Sequence, residues 1–532
     1  MEEKGSYILG LPKKEEKEQN QSSNEEAIST EKEIPINSLS VLSEVRLIEP
    51  SLSSIEPMDQ SEKIIKASEQ NESILELEDS LVREEESSLV FDQTEPLESN
   101  LGGDFEGEVK TLTKSISADN ISALYLNHSN GDINITAWDK NEIEVIATFT
   151  LKTSEPEDTK KGLDDFDVDL TITGSKLIIE SNWDELNNCN CNQTSEPKRW
   201  MKFLYFPTKN KATTDDGESF EYENFKITYE VKIPKKMSID VSNKYANVSV
   251  SDVDGDLSAN LFRGSLIARN VSNNIDLIIK YGSVQIGDFL DGDVTLFRSD
   301  AAFGTSNRLD FKANYSTINY AGGKELNLTA FRSDLTSSGP IDEIEGSFKY
   351  GELKLKEHII AADLELFRAK VEGKTFDKLN VDASYTEFNA EKAQEFDIEN
   401  GFRCEFKFDE IAKVEGSLKY SPIKIGVLLE LADINAFRGK IEIDQVNADF
   451  KQLNFETKYT DIDLSFNPEA KYELDAQTTY TDFKVPGEMM DISLQNGVNN
   501  NSNHFVGTFN KASSKSTSKV FVNSFQGVIR LD

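Results

Sequence analysis

The residues whose types and spacing could do chemistry fall into four groups, and three of them dissolve on inspection. Asp252, Asp254 and Asp256 alternate through SDVDGD, as the first ligands of a calcium loop do. The pattern then departs, because Leu257 stands where the tight-turn glycine belongs and Arg263 where the bidentate glutamate belongs. An Asp/Gly-rich corner is the simpler reading. Cys189 and Cys191 flank a single residue, too close for an ordinary disulfide, and Cys404 is remote in sequence. His128, His358 and His504 are scattered, so no zinc ligand set is apparent. Ser, His and Asp form no nucleophile elbow, and no phosphate-cradling glycine loop precedes a helix. Paired carboxylates are too common here to mark general acid–base chemistry. The sequence predicts no catalytic residue, no metal site and no cofactor.

The fourth group is a column in which tyrosine and arginine alternate. It runs Tyr245, Arg263, Tyr281, Arg298, Tyr315, Arg332, Tyr350, Arg368, Tyr385, Arg403, Tyr420 and Arg438, in steps of 17 or 18 residues. Tyr459 and Tyr480 follow at steps of 21. The residue before the column alternates in phase, with Phe262, Phe297, Phe331, Phe367, Phe402 and Phe437 before each arginine and mostly lysine before each tyrosine. The residue after it is small, from Ala246 and Gly264 to Ser421 and Gly439. If equivalent residues stack at the strand spacing of about 4.8 Å, an all-Arg column would repel itself. Alternation instead sandwiches each guanidinium between two phenol rings, at about 0.5–2 kcal/mol per contact. We read the column as a structural ladder. Strand parity puts Tyr and Arg on the core side (Leu277, Ile279, Tyr281) and the phenylalanines outside, as a candidate binding stripe whose alternative is packing against the flanking lysine stems.

Such a ladder needs an element that repeats every 17 or 18 residues. Within NIDLIIKYGSVQIGDFLDGDVTLFRSD the period is two, and Gly and Asp punctuate every eight or nine positions. Two short strands and two corners per unit describe one coil of a β-solenoid. The predicted class is all-β: a single-chain parallel β-helix over residues 241–532 that includes a C-terminal closing rung. Residues 106–240 read as a β-strand lead-in, with Asn130-Gly131 as a hairpin or corner turn and a long loop insertion at 183–220 rich in turn formers and aromatics. Residues 1–105 carry 26 Asp/Glu against 9 Lys/Arg and few apolar side chains, the composition of a disordered acidic tail. Within it, residues 68–91 place Ile74, Leu77 and Leu81 at helical spacing, either a transient helix or a docking helix for a partner.

The formal net charge of −39 disfavours nucleic acid and anionic lipid as partners, since no block of Lys and Arg is contiguous in sequence. No run of eighteen apolar residues predicts a transmembrane segment, and the first thirty residues lack the basic start and apolar core of a signal peptide.

Three stretches carry a family resemblance. LNHSNGDINITAWDKNEIEVIATF, FKITYEVKIPKKMSIDVSNKYANVSVSDVDGDLSANLFRGSLIARNV and SKVFVNSFQGVIRLD resemble the opening, the Pro234 link with the first coils, and the closing rung of the bacterial putative-adhesin family of β-strand repeats, a domain of unknown function. The resemblance spans about residues 112–532. It implies a β-solenoid in the cell envelope and brings no catalytic residues. The expected function is a non-catalytic envelope or surface scaffold for adhesion, binding a glycan or protein. The alternatives are an intracellular or periplasmic assembly protein that recruits a partner through its acidic tail, and a glycan-active β-helix enzyme. An enzyme would need a local break in the repeat to gather charges, and the column is uniform from Tyr245 to Arg438.

Overall fold

Alternating apolar and polar side chains dictate strands with one wet and one dry face, and the structure stacks them in parallel. The computed structural model describes residues 106–183, 210–214, 217–485, 490–496, 501–510 and 518–532, all within one compact unit, Leu97–Asp532. The tail 1–105, the helix expected near 68–91, and Cys189 and Cys191 lie outside the described residues. Each coil contributes one strand before the Tyr/Arg position and one after it. The strands before it, Ser238–Lys244, Leu257–Phe262, Ile275–Lys280 and Asp291–Phe297, pair in parallel in one sheet. Those after it, Val248–Val250, Ser265–Ala268 and Ser283–Ile286, pair in parallel in the second. From Asp300–Asn314 onward most coils merge the two into single long strands that span both sheets, with Asp334–Ser337 and Ile341–Lys349 still separate. Leu257, Leu261, Ile275, Leu277, Ile279, Val294 and Leu296 point between the sheets and are buried, as their period-two spacing requires. The in-register pairing Lys244↔Phe262, Phe262↔Lys280 and Lys280↔Phe297 keeps every column of like positions aligned.

The corner between the two strands is built from the Tyr/Arg residue itself. Every member of the column adopts a left-handed backbone, from Arg298 at φ 48 to Tyr245 at φ 61. Its amide still bonds to the next rung, as Tyr245 N to Phe262 O at 2.9 Å and Arg263 N to Lys280 O at 2.9 Å. The small residue that follows turns inward, where a Cβ at Gly264 or Gly282 would lie 2.0 Å from the carbonyl oxygen of the rung below. Serines at this place close the corner: Ser299, Ser316 and Ser333 each donate a hydroxyl to the carbonyl two residues earlier. The same hydroxyls accept amides from the adjacent rung, as Ser299 N to Ser316 Oγ at 3.2 Å and Ser316 N to Ser333 Oγ at 3.1 Å.

The chain fills both ends of the stack out of sequence order. Ala123–Ser129 and Ile133–Trp138, within the lead-in region, form a rung beneath that of Tyr245, paired in parallel with Ser238–Lys244 and Val248–Val250. Asn130 takes the column position there, at φ 59. Lys176–Ser181 lies in parallel along Ala123–Ser129, Asn224–Pro234 in parallel along Ile133–Trp138, and Glu142–Lys152 and Glu108–Ser117 extend the second sheet antiparallel. The helix Pro156–Asp165, here α1, packs Gly162 against Leu151 and Phe220. The expected insertion at 183–220 is structured at its borders. Trp183 is buried among Phe149, Tyr222 and Phe225, and Asn210–Thr213 pairs with Ser219–Tyr222.

At the other end, the expectation that SKVFVNSFQGVIRLD closes the stack is corrected. Ser518–Leu531 inserts between Gln452–Lys458 and Tyr472–Lys484, in parallel with both. The antiparallel pair Met490–Asn496 and Ser502–Phe509 covers the outer edge of Tyr472–Lys484 instead.

Candidate functional site

The left-handed corner overturns the core-side placement expected for tyrosine and arginine. Strand parity would make Arg298 the next buried residue after Leu296, but the positive φ rotates it outward and buries Ser299 in its stead. Phenylalanine and the column residue therefore project from the same edge. Tyr245, Tyr420 and Tyr459 are more than two-fifths exposed, all six column arginines are exposed, and Phe402 is buried, with only 9 % of its surface exposed. The candidate stripe of Phe262, Phe297, Phe331, Phe367, Phe402 and Phe437 does not stand free.

Each phenylalanine meets the tyrosines of the rungs above and below edge to face. The chain of rings runs Tyr245, Phe262, Tyr281, Phe297 and Tyr315 at centroid separations of 5.7, 5.6, 5.4 and 6.1 Å, and continues through Phe437, Tyr459 and Phe525 to Tyr480. The guanidiniums sit in this array. Arg332 lies 5.6 and 5.8 Å from the Tyr315 and Tyr350 rings and 5.2 Å from Phe331. Arg298, Arg368, Arg403 and Arg438 repeat that three-ring contact, while Arg263 touches Phe262 and Tyr281. Arg332 and Arg403 also donate to the hydroxyls of Tyr315 and Tyr385. Edge-to-face pairs stabilise by about 0.5–1.5 kcal/mol and exposed cation–π contacts by about 0.5–1. Together they outweigh the roughly 1–2 kcal/mol cost of a left-handed backbone at one non-glycine residue.

Charge divides the surface. On the sheet faces lysines lie against carboxylates of neighbouring rungs, as in Lys370 with Glu352, Lys413 with Glu395, and Lys424 with Glu442. Glu442, held by Lys424 and Lys440, is lowered to about 2. The edge differs. Among the described residues, Arg263, Arg298, Arg332, Arg403 and Arg438 form no ion pair, nor do Lys244, Lys280, Lys349 and Lys458, which precede the tyrosines.

The other candidate residues are dispersed. Asp252 and Asp256 accept the amides of Asn270 and Asn274 one rung on, and Asp254 is lowered by its contact with Lys235. They serve the opposite corner, where Asn270 and Asp288 repeat the bond toward Asp288 and Thr305. His128 is buried against the Ile227 carbonyl and lowered to about 4 by that burial; His358 faces Asp377 and His504 faces Asp475. Cys404 occupies a serine place in the corner, buried, with its thiol pushed up to about 11. No group of described residues could hold a metal ion. A shallow groove of about 420 Å³ over Gly373, Asn389, Phe408 and Gly426 presents Lys424, already paired with Glu442 and Asp444. No helix among the described residues is long and apolar enough to cross a membrane.

The cations of this edge were visible in the sequence, as arginine in the column and lysine before most tyrosines, but strand parity put the arginines in the core, so no line of charge along one surface was expected. Every rung from Lys244 to Lys458 places one aromatic next to one cation, except where Asn314 and Ser384 replace lysine.

No curated protein matches the chain. Among solved structures, a putative cell adhesion protein from Clostridium sporogenes ATCC 15579 aligns at 8 % identity over 80 % of this chain and 99 % of its own, with a TM-score of 0.14. A putative lipid binding protein from Parabacteroides distasonis ATCC 8503 aligns at 13 % identity over 67 % and 98 %, with a TM-score of 0.15. Neither likeness is close enough to say anything of this chain. The family comparison is decisive, because the Toastrack DUF4097 description matches residues 193–519, more than half of the sequence, and the stacked coils with their Tyr/Arg corners make up most of that span: the chain belongs to the Toastrack DUF4097 family.

Proposed function

We propose that the solenoid is a non-catalytic binding scaffold of the cell envelope or surface, and that the Tyr/Arg/Phe edge is the face that meets its partner, a surface glycan or protein. The observation that carries this reading is the unbroken run of contacting rings from Tyr245 to Tyr480, with exposed guanidiniums among them from Arg263 to Arg438. A regular, exposed aromatic and cationic line suits an extended partner better than a small molecule, which needs a concave pocket. The groove over Gly373 is open and its two lysines, Lys407 and Lys424, are already paired with Glu405 and Glu442, which supports a scaffold over an enzyme. The test is binding of the purified full-length chain to intact cells of the organism that makes it, together with protease shaving of those cells. Saturable binding at micromolar concentration and loss of the solenoid on shaving are expected. Protection of the chain from protease, with no binding, overturns the proposal.

A further inference from the structure

We infer that the Tyr/Arg edge binds a linear acidic polysaccharide, one carrying carboxylates along an extended chain; this rests on the scaffold reading above and specifies its ligand. The chain carries 96 Asp and Glu, so an exposed arginine without a carboxylate partner is unexpected on its surface. Five of them, Arg263, Arg298, Arg332, Arg403 and Arg438, stand in one line without an ion pair among the described residues. Lys244, Lys280, Lys349 and Lys458 stand on alternate rungs of the same line, and Asn314 and Ser384 take that place on two others. Local charge, rather than the net charge of −39, sets what such a line attracts, because the Debye length is only about 8 Å at physiological salt.

The geometry narrows the ligand. Rungs repeat at about 4.8 Å, so wherever lysine precedes a tyrosine the cations recur at the length scale of one sugar unit of an extended chain, and arginines recur at every second step throughout. Each guanidinium is braced by the rings around it, so its remaining N–H donors are pre-oriented toward solvent, the arrangement suited to bidentate carboxylates. Single-stranded nucleic acid would need free ring faces on which bases stack. Here the tyrosines are engaged by phenylalanine edges and by arginines, which leaves hydrogen bonding and charge as the means of recognition.

The test measures binding of the full-length chain to immobilised polygalacturonate, to dextran as a neutral polymer and to single-stranded DNA, at about 0.05 M and 0.2 M salt. Expected are saturable binding to polygalacturonate, weaker at the higher salt, and little binding to dextran or DNA. The triple variant Arg298→Gln/Arg332→Gln/Arg403→Gln is expected to bind at least about tenfold more weakly. Because that variant also disturbs the ring array, Lys280→Gln/Lys349→Gln removes charge from the same line without touching a guanidinium contact, and is expected to weaken binding with an unchanged melting temperature. Equal binding to dextran, tighter binding to DNA, or indifference of polygalacturonate to both variants overturns the inference. Cell binding without polygalacturonate binding sinks the acidic ligand alone, whereas loss of both sinks the scaffold reading too.

Discussion

At the scale of single residues, the corner reconciles two demands that usually exclude each other: a left-handed backbone and a large side chain. Glycine would meet the first without strain, yet the column keeps tyrosine and arginine because their rings and guanidiniums hold the edge together. Tyr315, at φ 54 between Phe297 and Phe331, separates the two contributions. Both Tyr315→Ala and Tyr315→Gly lose the ring contacts, but only alanine retains the backbone strain. Denaturant unfolding is expected to find the glycine variant more stable than the alanine variant by about 1 kcal/mol. The order should reverse at Thr329, an exposed strand residue, and the same order at both sites would refute the corner argument. Arg332→Leu is expected to cost about 1–2 kcal/mol, through lost cation–π contacts and the bond to Tyr315, whereas Lys349→Leu, which loses no cation–π contact among the described residues, should cost less. Equal melting temperatures for the two would remove the stacked array as a source of stability. None of this strain was legible in the sequence, since tyrosine and arginine are not residues that announce positive φ. The period was legible because the stacking recurs in every coil.

Elements at the ends of the stack depend on polar groups that the middle does not contain. The position two before the column is Leu261, Ile279 and Leu296 in the early coils, but Asn243 and His128 at the amino-terminal end, where both are buried. His128 Nε2 lies 3.0 Å from the Ile227 carbonyl, with the Tyr229 ring against its edge, Asp132 nearby and Asn243 bonded to the Gly131 carbonyl. Burial outweighs the favourable carbonyl and Asp132, and lowers its pKa to about 4. The sign follows: as pH falls below the ordinary value of about 6.5, the unfolded chain takes up the proton before the folded one does. Stability is intact above that pH and declines toward pH 4 by about 1.4 kcal/mol per unit. Once the intrinsic slowing of amide exchange at lower pH is divided out, hydrogen-exchange protection in Ala123–Ser129 and Asn224–Pro234 is expected to fall between pH 7 and 5, and His128→Gln should abolish that fall while leaving the central coils unchanged. A loss of protection that persists in the variant would assign the pH dependence elsewhere. Local patterns revealed these strands but not their partners, because a parallel pairing between residues about 50 to 115 positions apart leaves no mark on either strand. The helix Pro156–Asp165 did carry a signal, a proline in its first turn followed by Glu157 and Asp158, that strand alternation on both sides obscured.

Across the whole solenoid, the step of 21 residues from Arg438 to Tyr459 still stacks in chain order, and the second such step, from Tyr459 to Tyr480, marks where the chain stops doing so. Phe525-Gln526-Gly527 repeats the Phe-Arg-Gly pattern of a corner, and Gln526, at φ 60, stands between Tyr459 and Tyr480 in space. The alternation therefore continues to the end of the column, with glutamine in the arginine place and Phe525 bridging the two tyrosines at 5.7 and 5.8 Å. That strand joins segments remote in sequence: Tyr459 N bonds to Phe525 O, Phe466 N to Asp532 O and Asp532 N to Leu464 O. Removing residues 518–532 would leave the facing edges of Gln452–Lys458 and Tyr472–Lys484 with a strand-wide gap between them. Open parallel edges of that length recruit other chains. The truncated protein is expected to melt at lower temperature and to self-associate in sedimentation, and a peptide of residues 518–532 supplied in trans should suppress the association by refilling the gap. A monomeric truncation with unchanged melting would show that the last coils close without it, and that the inserted strand is an addition to the stack rather than the piece that completes it.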